Sequence, residues 1–362
     1  MRPDAAYHHE ITAMTEGVIL RREAALGHIT LDRPKALNAL THEMCASVFE
    51  ALRDWARDDA IHAVLIDAVP GRAFCAGGDI RSIYHLGRQD PPQAEAFFAT
   101  EYSLNAAIRH FPKPYIALLN GITMGGGAGL SVHGSHCIAT ENASFAMPET
   151  GIGLYPDVGG SYFLSRLPGE TGTYLALAGV RIGSPDMLSL GLATDFVPSG
   201  RLHQMAPRLA QGQTADAAIQ DLRQVVTEIP PLNQYRREID EAFSGPSVEA
   251  IIAKLQAGSA WAGEVARNLE LRSPTSLKLT LKALREAKSL DFDDCMRMEY
   301  RLTLRVLRGH DLYEGVRALL IDRDQRPRWR PDSLSLVTDE LIDAYFAPLG
   351  KNELVLTPLS YR

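Results

Sequence analysis

The stretch from Lys113 to Gly160, KPYIALLNGITMGGGAGLSVHGSHCIATENASFAMPETGIGLYPDVGG, constrains the fold more than any other part of the chain. Tyr115 to Leu119 is a short apolar run bounded by Pro114 and Asn120-Gly121, which predicts a buried strand. Gly125, Gly126 and Gly127 then lead into Ala128, Leu130 and Val132. That order predicts a helix opened by glycines, with unpaired backbone N–H groups at its start that suit an anion or a developing oxyanion. Two carboxylates follow, Glu149 in MPET and Asp157 in YPDVGG, with glycine and proline between them and no obvious solvated helix face for either. A plainer reading makes the glycines a device for tight packing, Glu149 an exposed loop acid, and Asp157 the cap of a helix from Val158 to Leu167.

At 362 residues the chain exceeds the usual size of one domain. The expected organisation is a frayed start over 1–16, a core over 17–200 and a helical region over 201–362 with a basic, proline-containing tail. A net charge of −7 argues against general attraction to nucleic acid or an acidic membrane, so a polyanionic ligand must meet a local basic patch. Cys45, Cys75, Cys137 and Cys295 are widely separated without metal-ligand spacing, which predicts reduced thiols. His133 and His136 fall where the glycine-led helix should end, so packing or capping is expected of them rather than ligation, and no metal site is expected. No apolar run is long enough to span a bilayer. The first sixteen residues, with Asp4, His8, His9 and Glu10, resemble neither a signal peptide nor a transit peptide. A cytoplasmic protein is the expectation.

In chain order, Val18 to Arg22 and His28 to Leu31 predict a hairpin. Thr41 is placed to cap a helix through Arg57 whose apolar positions Met44, Val48, Leu52 and Trp55 recur at near-helical spacing. Ala63 to Ile66 predicts a buried strand, and GRAFCAGGDI repeats the logic of strand, glycine turn and helix, with Gly77 and Gly78 at the turn. Asp90 and Pro91 predict a cap and first turn for a helix to about His110, with Glu101 inside it. Thr194 to Val197 predicts a last short strand. Beyond it, breaks at Pro230-Pro231 and Gly245-Pro246 predict helices separated by loops. Ser273-Pro274 opens a helix with Leu277, Leu281 and Leu284 on one face and Lys278, Lys282 and Arg285 on another, the latter either solvated or a phosphate contact. Asp291 to Arg308 and Asp311 to Ile321 predict further helices.

AFCAGGDI, the strand leading into GGG, and PE followed by the PDVGG loop, taken in this order and spacing, resemble the crotonase or enoyl-CoA hydratase superfamily. The likeness extends through SPTSLKLTL, MEYRL and RGHDLYEGVRALLIDRDQ, from about Gly17 to Pro331. It implies an α/β fold, a crotonase-type spiral of repeated ββα units with C-terminal helices over the active site. It also implies that the N–H groups of Gly78 and Gly126 form an oxyanion hole for a thioester oxygen. Fixed donors of this kind stabilise developing charge by about 3 kcal/mol each.

Hydratases of the superfamily use two glutamates; Glu149 matches the second, but Gly129 stands at the first, and Asp157 stands where hydratases typically carry glycine. This departure fits the superfamily's hydrolase branch. The implied activity is hydrolysis of a short 3-hydroxyacyl-CoA thioester, 3-hydroxyisobutyryl-CoA of valine breakdown above all. Glu149 would attack the carbonyl or act as general base on water. Asp157 would orient the substrate hydroxyl or the water, and Glu101 would line the acyl pocket. The CoA moiety, part of the substrate and the only cofactor-like group implied, would lie near Arg33, Lys35, Asp79 and Arg81, with Lys278 and Lys282 of the basic helix as further candidates. The resemblance also allows a homo-oligomer. The alternatives are an enoyl-CoA hydratase or isomerase, disfavoured by Gly129, and a non-catalytic acyl-CoA-binding scaffold.

Overall fold

The chain builds its core by sending successive strands to two sheets in turn. The computed structural model describes residues 10–356 and 359, with side chains described from residue 15. Strands β1 (Glu10–Thr15), β2 (Val18–Glu23) and β3 (Leu26–Leu31) form an antiparallel meander, whose second half is the predicted hairpin. Of the start expected to fray, residues 1–9 lie outside the described residues, whereas Glu10–Thr15 pairs with β2.

The remaining strands in chain order are β4 (Ala63–Ala68), β5 (Ala73–Cys75), β6 (Tyr115–Leu119), β7 (Ile122–Met124), β8 (His136–Ala139), β9 (Ser144–Ala146), β10 (Ile182–Gly183) and β11 (Asp195–Phe196). The first sheet has the order β1-β2-β3-β4-β6-β8-β11, parallel from β3 onward, and the second has the order β10-β9-β7-β5. The alternation of β4 to β9 between the sheets is the expected spiral of repeated units. Every residue of β6 is buried, as its unbroken apolar run requires of an inner parallel strand.

Five helices position the site: α1 (His42–Arg57), α2 (Ile80–Gln89), α3 (Pro91–Arg109), α4 (Gly126–Gly129) and α5 (Gly160–Leu164). Thr41 caps α1 by accepting from the Met44 N–H at 3.2 Å, and Met44, Val48, Leu52 and Trp55 are all buried. The cap predicted at Asp90 fails, and the plainer reading of Asp157 as a cap does not hold. Asp90 precedes α3 without a side-chain cap bond. Asp157 caps nothing either: α5 begins at Gly160, after Val158 and Gly159 have taken positive φ, so the loop turns the carboxyl inward. The glycine-led helix also stops at Gly129 rather than running through Val132.

After β11 the described residues contain helices and turns but no strand. Helices Met205–Ala210 and Ala215–Leu222 cover one face of the first sheet, against Leu26, Leu65, Ile116 and Ile138. Leu277, Leu281 and Leu284 of helix Pro274–Ala287 and Met296 and Leu302 of helix Phe292–Val306 join the main core. The helix predicted from Asp311 to Ile321 is regular only to Val316 and then widens into a π turn over Arg317–Ile321. No described helix is long and apolar enough to cross a membrane.

Candidate active site

A cavity of about 420 Å³ opens where the glycine turns of the two repeated units meet α3 and the Glu149–Asp157 loop. Gly78, Gly126, Glu101, Glu149 and Asp157 all line it. The C-terminal region closes its other side with Arg272, with Ala318 and Leu319 of the π turn, and with Gln325 and Pro327 of the basic tail. A π turn at such a place is a common way of re-aiming side chains toward a site.

The two glycine turns are brought together by backbone geometry. Gly125 takes a φ of 45°, and a Cβ built on Gly126 would stand 3.3 Å from the Gly78 N and would collide with Glu101 Oε1. Gly126 is therefore the residue that lets the Glu101 carboxyl and the Gly78 amide approach one another. Among the described residues neither the Gly78 nor the Gly126 N–H donates a hydrogen bond. Two adjacent free donors in a largely apolar cavity can hold a carbonyl oxygen and favour it as it gains negative charge.

The carboxylates are buried rather than solvated, so the plainer reading of Glu149 as an exposed loop acid does not hold. Glu101, Glu149 and Asp157 are 2%, 5% and 4% exposed. Glu149 opens the short 3-10 turn Glu149–Ile152, and its Oε2 is buried with no hydrogen-bond partner, as is Glu101 Oε1. Burial, reinforced by the charge of Asp157 and then of Glu101, pushes the Glu149 carboxyl well above the usual range. Burial followed by the charge of Asp157 does the same to Glu101. Asp157 is raised by burial, against the opposing hydrogen bond between its Oδ2 and the Tyr102 hydroxyl, 2.7 Å apart. Three acids in one pocket cannot all ionise cheaply, which divides them into proton holders and charge carriers.

Other sequence candidates lie outside the lining. Arg33 bridges to Asp79 at 3.2 Å, and Asp79 caps α2 by accepting from the Ser82 N–H at 3.2 Å. Lys35 and Arg81 are exposed, and Arg81 donates to the Leu320 carbonyl at 3.1 Å, beside the lining residue Leu319. Lys278 and Lys282 face a separate groove, where Lys278 meets Glu249 at 2.7 Å and Lys282 pairs with Asp343. His133 packs as expected, its Nε2 donating to the Val158 carbonyl at 2.7 Å.

Sequence reasoning missed Arg272, whose Nε donates to Asn268 Oδ1 at 2.9 Å and whose Nη2 donates to the Ala178 carbonyl at 3.0 Å. It also missed Tyr102, Tyr155, Glu299 and Thr303, which form a buried polar cluster behind Asp157. Only the position of Tyr102 next to Glu101 and the MEYRL run gave any signal. Finally, the space beside Gly129 is filled: a Cβ there would stand 2.6 Å from Asn105 Nδ2 and 2.9 Å from Val158 Cβ.

Comparison with known proteins identifies the family and the fold. The family model described as enoyl-CoA hydratase/isomerase matches residues 26–346. The chain is 46% identical to the mitochondrial 3-hydroxyisobutyryl-CoA hydrolase of Gallus gallus, covering 94% of this chain and 91% of that protein. It is 42% identical to the protein of the same name from Homo sapiens, over 98% of this chain and 95% of that one. Among solved structures, a carnitinyl-CoA dehydratase from Mycobacterium thermoresistibile superposes with a TM-score of 0.90 at 41% identity, covering 94% of this chain and 99% of that chain. An enoyl-CoA hydratase from Rhodobacter sphaeroides 2.4.1 gives 0.88 at 38% identity, again over 94% and 99%.

The relatives' names overturn one expectation, since they point to the mitochondrion rather than the cytoplasm. Cys45, Cys75, Cys137 and Cys295 are all free and buried, an arrangement that does not single out the cytosol. A match over residues 26–346 and relatives aligned along nearly the whole chain leave one assignment: the chain belongs to the enoyl-CoA hydratase/isomerase family.

Proposed function

We propose that this chain hydrolyses the thioester of 3-hydroxyisobutyryl-CoA to 3-hydroxyisobutyrate and CoA, a step of valine catabolism, with Glu149 as the reacting carboxylate. The relatives that span nearly the whole chain carry that activity in their names. The observation that carries the reading is the pairing of an unpartnered Glu149 oxygen with two free glycine N–H groups in one cavity, while the place of the first hydratase glutamate is filled by Asn105 and Val158.

The thioester oxygen sits between the Gly78 and Gly126 N–H groups, and the carbonyl carbon then faces Glu149. In one route the Glu149 carboxylate adds to that carbon, the C–S bond breaks, CoA departs as a thiolate that takes up a proton, and water cleaves the resulting anhydride. In the other, Glu149 removes a proton from water as its oxygen adds to the carbon, and the proton passes to the departing sulfur. Both consume one water and return Glu149 unchanged, with no cofactor beyond the CoA of the substrate. Asp157 and Glu101 meet the acyl group and its hydroxyl. Arg272 supplies positive charge at the mouth, and Arg33, Lys35, Asp79 and Arg81 surround the path of the CoA phosphates.

The test is thiol release from purified protein with 3-hydroxyisobutyryl-CoA, set beside crotonyl-CoA with the enoyl absorbance followed. Thiol release from the first and an unchanged second are expected, and Glu149→Gln should abolish release while acyl-CoA still binds. Loss of enoyl absorbance without thiol release would overturn the reading in favour of a hydratase.

A further inference from the structure

Behind Asp157 lies a single file of buried oxygens. Asp157 Oδ2 is 2.7 Å from the Tyr102 hydroxyl, which is 2.6 Å from Thr303 Oγ1, which is 2.7 Å from the Tyr155 hydroxyl, which in turn meets the Glu299 carbonyl. Tyr102, Tyr155, Thr303 and Asp157 are at most 4% exposed, so the file is shut off from bulk solvent. Oxygens at such separations attract only with a proton between them.

Proton counting then decides the state of the file. Four contacts need four protons, and three hydroxyls supply three. The Glu299 carbonyl can only accept, so Tyr155 donates to it. Thr303 must then donate to Tyr155, and Tyr102 to Thr303. The proton between Tyr102 and Asp157 has one remaining source, the Asp157 carboxyl itself. If Asp157 is ionised instead, Tyr102 donates to it and one contact further along is left as two facing lone pairs, an unsatisfied polar pair in a buried setting.

On the reading of Glu149 as the reacting carboxylate, we propose that Tyr102, Thr303 and Tyr155 are positioning residues that keep the proton on Asp157 Oδ2 and thereby leave the negative charge of the pocket to Glu149. Asp157 Oδ1 then offers a neutral acceptor to the acyl group. Ionisable groups face Asp157 from every side. They are Glu101 and Tyr102 from α3, Glu149 from its 3-10 turn, Tyr155 from the same loop and Glu299 from helix Phe292–Val306, with Arg272 as the one cation lining the cavity. A second negative charge so close to Glu149 would oppose its ionisation, and a neutral Asp157 removes that opposition.

The test uses two residues that do not touch Asp157. In Thr303→Val or Tyr155→Phe the remaining contacts match the remaining protons with Asp157 ionised, because Tyr102 is free to donate to the carboxylate. The carboxylic-acid C=O infrared band, assigned by its loss in Asp157→Asn, should therefore disappear at a pH lower by about one unit in both variants, and Thr303→Ser should restore the original midpoint. A midpoint that stays or rises in Tyr155→Phe overturns the proposal, even if Thr303→Val does not fold. The pH profile of thiol release should move with the band. A band that moves in a protein that releases no thiol would support the file while overturning the hydrolase reading.

Discussion

Glu299 holds Ser161 twice, its Oε1 accepting from the Ser161 backbone N–H at 2.9 Å and from the hydroxyl at 2.5 Å. Its Oε2 accepts from the Gly159 N–H at 2.7 Å. The carboxyl thus fixes the loop in which Val158, a β-branched residue, is forced to a φ of 53° just after Asp157. Glu299→Gln keeps the size but turns one of the two acceptors into a donor, leaving an amide NH2 against a buried N–H. The expected loss is about 1–3 kcal/mol of stability, read from denaturant unfolding. An unchanged midpoint would show that the loop is held by other means.

The same residue gives stability a pH dependence. Burial raises the Glu299 carboxyl to about 8, against the hydrogen bonds from Ser161 and Gly159 that oppose the rise, from an ordinary value of 4.5. Between those two values the folded chain binds more protons than the unfolded one, so the contribution of Glu299 to stability falls as pH rises through the window. The buried acids Glu101 and Glu149, also raised, act in the same direction. Unfolding midpoints measured across this window should decline toward alkaline pH, and less steeply in Glu299→Gln. A variant with the wild-type slope would remove Glu299 as a source.

Gly126→Ala should separate the oxyanion hole from mere packing. The added Cβ meets Glu101 Oε1 and comes within 3.0 Å of Leu40 Cδ1 and 3.3 Å of the Gly78 N, so it intrudes between the two donors. A fall in kcat of about 10²-fold or more is expected, as when one oxyanion donor is lost. Thiol-release kinetics that change only in KM would refute the role of Gly126.

The strands and the first helices were legible because their burial pattern is local. The run Tyr115–Leu119 has no other use than an inner strand, and Met44, Val48, Leu52 and Trp55 share one face of α1 wherever that helix is placed. Glu149 and Asp157 stood out because glycine and proline deny them a helix face. Their burial did not show in the sequence, since it depends on Tyr102 from α3 and on residues more than a hundred positions away, among them Arg272, Glu299 and Thr303. The plainer reading of Asp157 fails for a related cause. Asp157 looks like a helix cap until the positive φ of Val158 and Gly159 turns it away, and only tertiary contacts such as the Glu299 hydrogen bonds stabilise that turn. The surroundings of the basic face of Lys278 and Lys282 were hidden for a similar reason, because its partners Glu249 and Asp343 are distant in sequence.

Gly129→Glu restores the acid that hydratases of the family carry, yet it should not produce a hydratase. The first atom of the new side chain would stand 2.6 Å from Asn105 Nδ2 and 2.9 Å from Val158 Cβ. Asn105 is fully buried within α3, and Val158 is pinned by its neighbours and by the hydrogen bond from His133 to its carbonyl. Val158 cannot retreat without moving Asp157, the residue just before it. Overpacking of this kind costs about 1–3 kcal/mol, and a carboxylate enclosed there adds a desolvation cost. The expected outcome is a destabilised protein with reduced thiol release and no hydration of crotonyl-CoA. The double variant Gly129→Glu with Val158→Gly removes one of the two obstacles and should recover part of the stability. Hydration of crotonyl-CoA by the single variant would mean that the missing glutamate alone, and not the filled space beside Gly129, separates this chain from the hydratases.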